Sequence, residues 1–229
     1  MTAPILIACS HGSSEETARR VVRELVDAVC AATGVEVRQA FADVEEPRVA
    51  QVVAGIDPDE AGTSAVVVPL LLAGGYHVHH DIAKAIASRP DVLAAPALGP
   101  DPRLVGIVLD RLRGAGVSPQ AHVVLAAAGS SDARSRAETD IAVEELHAVW
   151  EGPVTLGFAA GVTPSVADAV AEARFLGASS VAVASFLLAP GYFQRKIEAS
   201  GADSVTAPLA PDPRLVSIIA ERYRDALKP

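Results

Sequence analysis

The chain has 229 residues, of which 50% are hydrophobic, and it carries a formal net charge of −9. This composition provides for a sizeable buried core and excludes a largely disordered protein. The acidic balance argues against a nucleic-acid surface but not against an anionic small ligand, which a local pocket can still attract. No apolar run is long enough to cross a bilayer, and no signal peptide is apparent. With two cysteines in no disulfide or metal spacing, we expect a cytoplasmic protein without membrane contact.

Strands and helices alternate along the first half of the chain. PILIACS is a short apolar run, as expected of a buried parallel strand, and Ser13 and Glu16 have the spacing of a capping box for the next helix. Gly34 closes this helix ahead of a second strand, VEVRQAFA, and Pro47 is expected to open the helix that follows. A third strand, TSAVVVPLLLA, leads through a glycine-rich turn into a short helix from about Asp81.

The second half of the chain repeats the first, motif by motif. In the first half, DVLAAPAL is the predicted fourth strand and PDPRLVGIVLDRL is the helix that follows it. The second half contains a matching helix, PDPRLVSIIAERY. Likewise ILIACSHGSS returns as HVVLAAAGSS, FADVEEPRVA as FAAGVTPSVA, and SAVVVPLLLAGGYH as SVAVASFLLAPGYF. We therefore predict two domains, residues 1–115 and 121–229, and GAGVSPQA between them has the composition of a linker.

The alternation of strands and helices predicts the fold class. It specifies two similar α/β domains, each a parallel sheet with helices on both faces, with a cleft between them. In open parallel sheets, ligands bind outside the carboxyl ends of the strands. His11 follows the first strand, Asp43 the second and His77 the third, so we expect these three residues at one edge of one sheet.

The two copies differ at these three positions. A packing role should persist in both copies, whereas a chemical role need persist in only one. Histidine binds divalent metals and transfers protons near neutral pH, so the sequence predicts that His11 and His77 carry the chemistry. Asp43 is the accompanying carboxylate. The second copy has Ala128, Phe193 and Ala160 in place of His11, His77 and Asp43.

Other residues at this edge are candidate ligand contacts. The run from Gly12 through Ser13 to Ser14 returns in the second copy, ending in Ser130 and Ser131, so either a structural cap or a pair of anion sites explains it. Gly75 allows close backbone approach, and Tyr76 is either a packing residue or a wall for a flat ligand, as is Tyr192 in the second copy. His79 and His80 belong either to a metal cluster or to a solvated helix start.

Several common catalytic motifs are absent from the sequence. It contains neither the G-x-S-x-G nucleophile motif nor the phosphate-binding loop G-x-x-x-x-G-K-[ST]. No G-x-G-x-x-G follows the first strand, which argues against dinucleotide binding.

Three motifs together, CSHGSS, FADVEEP and PLLLAGGYHVHHDI, resemble the sirohydrochlorin chelatase family, the ATP-independent class II tetrapyrrole chelatases. The resemblance implies a lyase that inserts Fe²⁺ for siroheme, or Co²⁺ for a cobalamin precursor, into the polycarboxylate macrocycle sirohydrochlorin, with no organic cofactor. It implies that His11 and His77 bind the metal and that Asp43 stands where the family often has glutamate. The implied substrate contacts are Ser10, Gly12, Ser13, Ser14, Gly75, Tyr76, His79, His80, Ser130 and Ser131.

Two other functions fit the residues. One is a noncatalytic metal- or tetrapyrrole-binding protein on the same fold. The other is an α/β enzyme that binds a phosphate at Ser13 and Ser14 and uses His11 as its acid or base. In each case a monomer suffices, because the duplicated chain can form its cleft internally.

Overall fold

The computed structural model describes residues 3–58, 62–75 and 77–228, and of residues 77–79 it describes the backbone alone. Two four-stranded parallel sheets form, one from each half of the chain, with the strand orders β2-β1-β3-β4 and β6-β5-β7-β8. The first contains β1 (Ile5–Ser10), β2 (Val37–Phe41), β3 (Ala65–Pro69) and β4 (Val92–Ala94). The second contains β5 (His122–Ala127), β6 (Val154–Phe158), β7 (Val181–Phe186) and β8 (Ser204–Val205). The predicted α/β fold class, with two similar parallel-sheet domains, is confirmed.

Helices connect successive strands in both halves. The first half contains α1 (Glu16–Thr33), α2 (Val49–Ala54), a π-helix (His77–Ile82), α3 (Ala83–Ile86) and α4 (Pro102–Gly114). The second contains α5 (Ala133–Val149), α6 (Val166–Phe175), α7 (Tyr192–Glu198) and α8 (Pro213–Ala226). No helix in the described part of the chain is both long and apolar enough to span a membrane.

The central strands are buried on both faces, which explains their nearly continuous apolar sequences. Leu6 of β1 pairs with Val37 of β2 on one side and with Val66 of β3 on the other. All five residues of β3 are buried. Hydrophobic burial of this kind contributes about 25 cal/mol of stability per Å² of apolar surface.

The first helix begins without the predicted capping box. Ser13 Oγ accepts a hydrogen bond from the Glu15 backbone N–H at 3.1 Å, so Ser13 forms a tight turn ahead of the helix. The Glu16 carboxylate pairs with Arg23 instead of returning to Ser13. At the other end, Gly34 has a left-handed backbone (φ 68°) and closes α1 as predicted.

The second helix begins at Val49 rather than at Pro47. The Phe41 backbone N–H donates to Pro47 O at 3.0 Å, and Phe41 forms a parallel bridge with Arg48, whose backbone is extended. Arg48 then precedes the helix, and its backbone N–H donates to the side chain of Gln51. Backbone pairing across the loop therefore overrides the preference of proline for the first helical turn.

Two compact units divide the chain differently from the predicted domains. One contains Met1–Gly99 and Ala210–Pro229, and the other contains Pro100–Leu209. The chain therefore passes between units at residues 99–100 and 209–210, while the predicted linker at 114–121 lies inside the second unit. As a result, α8 packs against α1 and β3 in the first unit, and α4 packs against α5 and β7 in the second.

The exchanged helices are held by equivalent hydrogen bonds. In the first unit, the Arg222 guanidinium on α8 donates to Ala97 O at 3.0 Å and to Leu98 O at 2.9 Å. In the second, Arg111 on α4 donates to Pro208 O and Leu209 O. Each arginine thus binds the backbone that follows the last strand of the other repeat. Both helices begin with the same motif, PDPRLV.

Candidate functional site

The loops after β1 and β2 are tied together at the carboxyl edge of the first sheet. His11 O accepts hydrogen bonds from the backbone N–H groups of Asp43 at 3.1 Å and Val44 at 3.2 Å. Ser10 O accepts another from Ala42 N at 2.8 Å. The structure thus brings His11 and Asp43 together, as the order of strands and loops predicts.

The His11 ring is partly exposed at this edge. Its Nδ1 atom lies 3.4 Å from Gly12 O, which is too long for a strong hydrogen bond. Gly12 has a left-handed backbone (φ 91°), and a Cβ atom there would come within 2.9 Å of Glu45 N. The turn that presents His11 therefore requires glycine.

The second histidine segment forms a π-helix in the connection between the third and fourth strands. His77 is its first residue, and its side chain lies outside the described part, so the separation of the His77 and His11 rings stays a prediction. Ile82, at the end of the π-helix, is 0% exposed and packs into the core of the first unit. The backbone of the histidine segment is thus attached to the core through its last residue.

The π-helix absorbs one residue that the second repeat lacks. Ile82 follows Gly75 by seven residues, whereas Ile197 follows Gly191 by six. Ile197 is also 0% exposed, within the core of the second unit, and its segment forms the α-helix α7. Because both isoleucines keep their core positions, the additional residue must be taken up between glycine and isoleucine, which a π turn does.

Asp43 is exposed and pairs with an arginine on its own loop. Its Oδ1 atom lies 3.2 Å from Arg48 Nη1, and both side chains are substantially solvent-exposed. An exposed pair of this kind contributes at most about 1 kcal/mol. Asp43 is therefore held loosely and can exchange its partner.

A different carboxylate, Glu45, is bound firmly within the site. Its Oε1 atom accepts a hydrogen bond of 2.8 Å from Ser13 N, and its Oε2 atom lies 3.1 Å from Arg19 Nε. The Glu45 side chain is 14% exposed. In this repeat the anion site predicted at Ser13 and Ser14 therefore already contains an internal carboxylate. Sequence reasoning missed this role, although the second copy has Val162 at the same position.

The second repeat has the same serine turn, but the arginine that corresponds to Arg19 has different contacts. Ser130 Oγ accepts from Asp132 N at 3.1 Å, as Ser13 does from Glu15. Arg136, the counterpart of Arg19, lies 5.0 Å above the Phe158 ring and pairs with Asp140 on its own helix. With Val162 at the position of Glu45, the second repeat has no internal carboxylate from that residue.

Cys9 lies two residues before His11, but its thiol is unreactive. The thiol is 1% exposed, and burial, followed by the negative charge of Asp81, raises its pKa to about 12. It therefore stays protonated at neutral pH and is a poor metal ligand. Among the side chains that the structure describes, no group of three or more His, Cys, Asp or Glu residues is arranged to hold a metal ion.

The remaining predicted ligand contacts differ in accessibility. Ser10 is 4% exposed, and its hydroxyl has no hydrogen-bond partner among the described residues, so it lies within the fold rather than at the surface. Ser13, Gly75 and Ser130 are partly exposed, whereas Ser14, His80 and Ser131 are exposed. Tyr76 and the side chain of His79 lie outside the described residues.

The chain is similar over nearly its whole length to solved structures of two proteins. One is SirB from Bacillus subtilis with Fe³⁺, which is 20% identical, with 99% of this chain and 96% of that chain covered and a TM-score of 0.78. The other is CbiX, described as the terminal enzyme for biosynthesis of siroheme in denitrifying bacteria. It is 18% identical, with 99% and 100% of the two chains covered and a TM-score of 0.71. At these identities the likeness shows a shared fold.

The sequence itself gives the family. No curated protein matches the chain. The CbiX family matches it twice, over residues 5–115 and over residues 122–226, which together make up most of the chain. The two matches coincide with the two repeats, and the resemblance predicted from the motifs is confirmed. The protein is therefore a member of the CbiX family in which the family's fold occurs twice within one chain.

Proposed function

We propose that this protein is a sirohydrochlorin chelatase, an enzyme that inserts Fe²⁺ or Co²⁺ into sirohydrochlorin without ATP. Membership of the CbiX family supports the proposal, as does similarity to SirB from Bacillus subtilis subspecies spizizenii, a sirohydrochlorin chelatase solved in complex with cobalt. That structure is 20% identical to this chain, with a TM-score of 0.77 and 99% of this chain covered. The observation that carries the proposal is the partly exposed His11 at the carboxyl edge, lost in the second repeat.

The chemistry needs groups that hold a divalent ion and accept protons. Sirohydrochlorin is a flat macrocycle that loses two pyrrole protons as the ion enters. In this proposal His11 and His77 bind the incoming ion as substrate, and an imidazole or a carboxylate accepts a proton. Because imidazole affinity alone does not select Fe²⁺ over Co²⁺, supply of the ion decides which is inserted.

Asp43 is the proposed carboxylate. Its own backbone N–H makes one of the hydrogen bonds that join the β1 and β2 loops, and its exposed pair with Arg48 is easily exchanged. Glu45 is less suited to this role, because Ser13 and Arg19 already use both of its oxygens.

The peripheral carboxylates of the substrate need donors in an acidic protein. We assign them to the second repeat, at Ser130 and Ser131, ahead of α5. The first repeat supports this assignment, because the equivalent Ser13 N–H there binds the Glu45 carboxylate. Ser14, Gly12, Gly75, Tyr76, His79 and His80 stay proposed as further substrate contacts. We also propose that the enzyme acts as a monomer in the cytoplasm, where its two free thiols stay reduced.

The test is an anaerobic incubation of the protein with sirohydrochlorin and Fe²⁺ or Co²⁺. The rate of metal insertion is measured from the change in the absorption spectrum of the macrocycle. We expect His11→Ala and His77→Ala each to lower the rate about 100-fold, the range of a lost acid or base. His147→Ala is the matched control, because His147 is an exposed histidine in the last turn of α5. Equal rates for wild type, H11A and H77A would remove both histidines from the mechanism. A wild-type rate no greater than the spontaneous rate would leave the noncatalytic binding protein as the function.

A further inference from the structure

An exposed aromatic side chain stands at the carboxyl edge of the second sheet. Tyr192 is the first residue of α7, which follows β7, and it is 58% exposed. The sequence left open whether this tyrosine packs in the core or forms the wall of a flat ligand site. Its exposure shows that it is not a core residue.

The neighbouring residues hold the ring at the surface. Phe193 is partly buried and packs against the core of the second unit. The centroids of its ring and the Tyr192 ring are 5.7 Å apart, and the ring planes are inclined at 56°, a favourable tilted contact. Phe193 thus anchors the segment to the core and contacts the Tyr192 ring.

A cation accompanies the ring. Lys196 follows Tyr192 by four residues, so the two side chains lie on the same face of α7. Lys196 Nζ lies 5.8 Å from the centre of the Tyr192 ring, near the limit of about 6 Å for a cation–π contact. At that distance the flexible lysine is weakly held and can turn towards an anion beside the ring.

We propose that Tyr192 and Lys196 bind the substrate macrocycle, and this inference rests on the proposed function. The phenol ring stacks on the flat face of the tetrapyrrole, and the Lys196 ammonium pairs with one of its peripheral carboxylates. A flat apolar face rimmed by carboxylates is complementary to an aromatic ring with a cation beside it. In the alignment of the repeats, the first copy carries His80 where the second carries Lys196.

The experiment separates binding from metal insertion. The dissociation constant of metal-free sirohydrochlorin is measured for each variant from the change in absorption of the ligand. We expect Tyr192→Ala to raise it about tenfold, and Tyr192→Phe, which keeps the ring, to change it less than about twofold. Lys196→Ala should raise it about threefold, an effect that added salt suppresses.

The control is Phe175→Ala. Phe175 is 85% exposed and ends α6, ahead of β7, at the opposite edge of the same sheet. We expect this variant to bind sirohydrochlorin as wild type does. Circular dichroism should show that Tyr192→Ala unfolds at the wild-type temperature.

The outcomes keep the two proposals apart. If wild type binds and metallates sirohydrochlorin but Y192A and K196A bind it unchanged, the role of Tyr192 and Lys196 is overturned and the chelatase function stands. Equal weakening by F175A also overturns their role. If wild type neither binds nor metallates sirohydrochlorin, the proposed function fails, and this inference fails with it.

Discussion

Glu45 and Ser13 are 32 residues apart in the sequence, yet the Glu45 carboxylate accepts a 2.8 Å hydrogen bond from the Ser13 backbone N–H. The bond joins the loop after β2 to the start of α1. A carboxylate at a helix N-terminus is favoured by the helix dipole, and Arg19 adds a second positive partner. The first repeat thus places the carboxylate of Glu45 at this position. The matching residue of the second repeat, Val162, has no carboxylate.

Replacing Glu45 should destabilise the protein. In Glu45→Gln, Ser13 and Arg19 lose a charged acceptor in a largely enclosed place, so we expect the free energy of unfolding to fall by about 1–3 kcal/mol. Urea denaturation measures the change. Glu46→Gln is the control, because Glu46 pairs with Arg48 at the exposed surface and should contribute less than about 0.5 kcal/mol. Equal losses in the two variants would contradict the structural role of Glu45.

The reciprocal change, a new carboxylate in the second repeat, should weaken the substrate contacts that we propose there. Val162→Glu supplies a carboxylate at the position that Glu45 occupies in the first repeat, and Val162 lies beside Gly129, the residue before Ser130. We expect this variant to fold normally and to bind sirohydrochlorin about tenfold more weakly, because the new anion competes with a substrate carboxylate. Val162→Gln, of the same size and uncharged, should have a smaller effect. Unchanged binding in V162E would contradict the assignment of Ser130 and Ser131 to the substrate.

Removing the additional residue of the π-helix should slow metal insertion without preventing folding. Deletion of Val78 keeps all three histidines of the segment and gives it the shorter spacing of the second repeat. We expect the rate of metal insertion to fall about 100-fold, while Tm changes by less than about 4 °C. Val78→Ala, which keeps the length, is the control. A deletion variant as active as V78A would show that the π turn is dispensable.

The sequence predicts the sheets and the position of the candidate site. Apolar runs such as the one containing Leu6 have the length of buried strands, and they alternate with segments of helical periodicity. The carboxyl-edge rule then brings together His11 and Asp43, whose loops the structure joins by backbone hydrogen bonds. The predictions of the sheets and of the joined His11 and Asp43 loops succeed because they depend on local pattern and on the order of elements.

The details that the sequence does not predict depend on distant partners. The capping box at Ser13 does not form, because the charge that stabilises this helix start comes from Glu45. Pro47 does not open its helix, because it pairs with Phe41. The loss of Glu45 to Val162 in the second copy was a signal of the same kind as the loss of His11, and it could have indicated a specific role.

The two cysteines should differ in reactivity. Cys30 is exposed, whereas Cys9 is buried with its pKa raised to about 12. A thiol reagent at neutral pH should therefore modify Cys30 within minutes and Cys9 only after unfolding. Two equally reactive thiols in the native protein would contradict the environment described for Cys9.

The same shift has a consequence for stability at alkaline pH. The folded pKa of Cys9 is above its ordinary value of 9.0, so its contribution is complete below about pH 9 and is lost as the pH rises towards about 12. Cys9→Ala removes this loss, and alanine fits because Ala126 has the same position in β5. Between pH 9 and 10, the free energy of unfolding should fall more steeply in wild type than in C9A, by up to about 1.4 kcal/mol per pH unit.

The exchanged helices predict which unit each arginine stabilises. Arg222→Ala removes the hydrogen bonds to Ala97 O and Leu98 O, so amide exchange should become about tenfold faster in the first unit, although Arg222 belongs to the second repeat. Arg111→Ala should have the same effect in the second unit. Hydrogen exchange read by mass spectrometry distinguishes the two patterns. Faster exchange confined to the repeat that carries each substitution would contradict the exchange of helices.

A protease that cuts between residues 114 and 121 would therefore not release two independent halves. Each fragment would retain a helix that completes the hydrophobic core of the other, because α4 packs in the second unit and α8 in the first. The nicked protein should migrate as one species until denaturant is added. Either fragment expressed alone would lack one wall of its core, so duplication has made the two copies dependent on each other for folding.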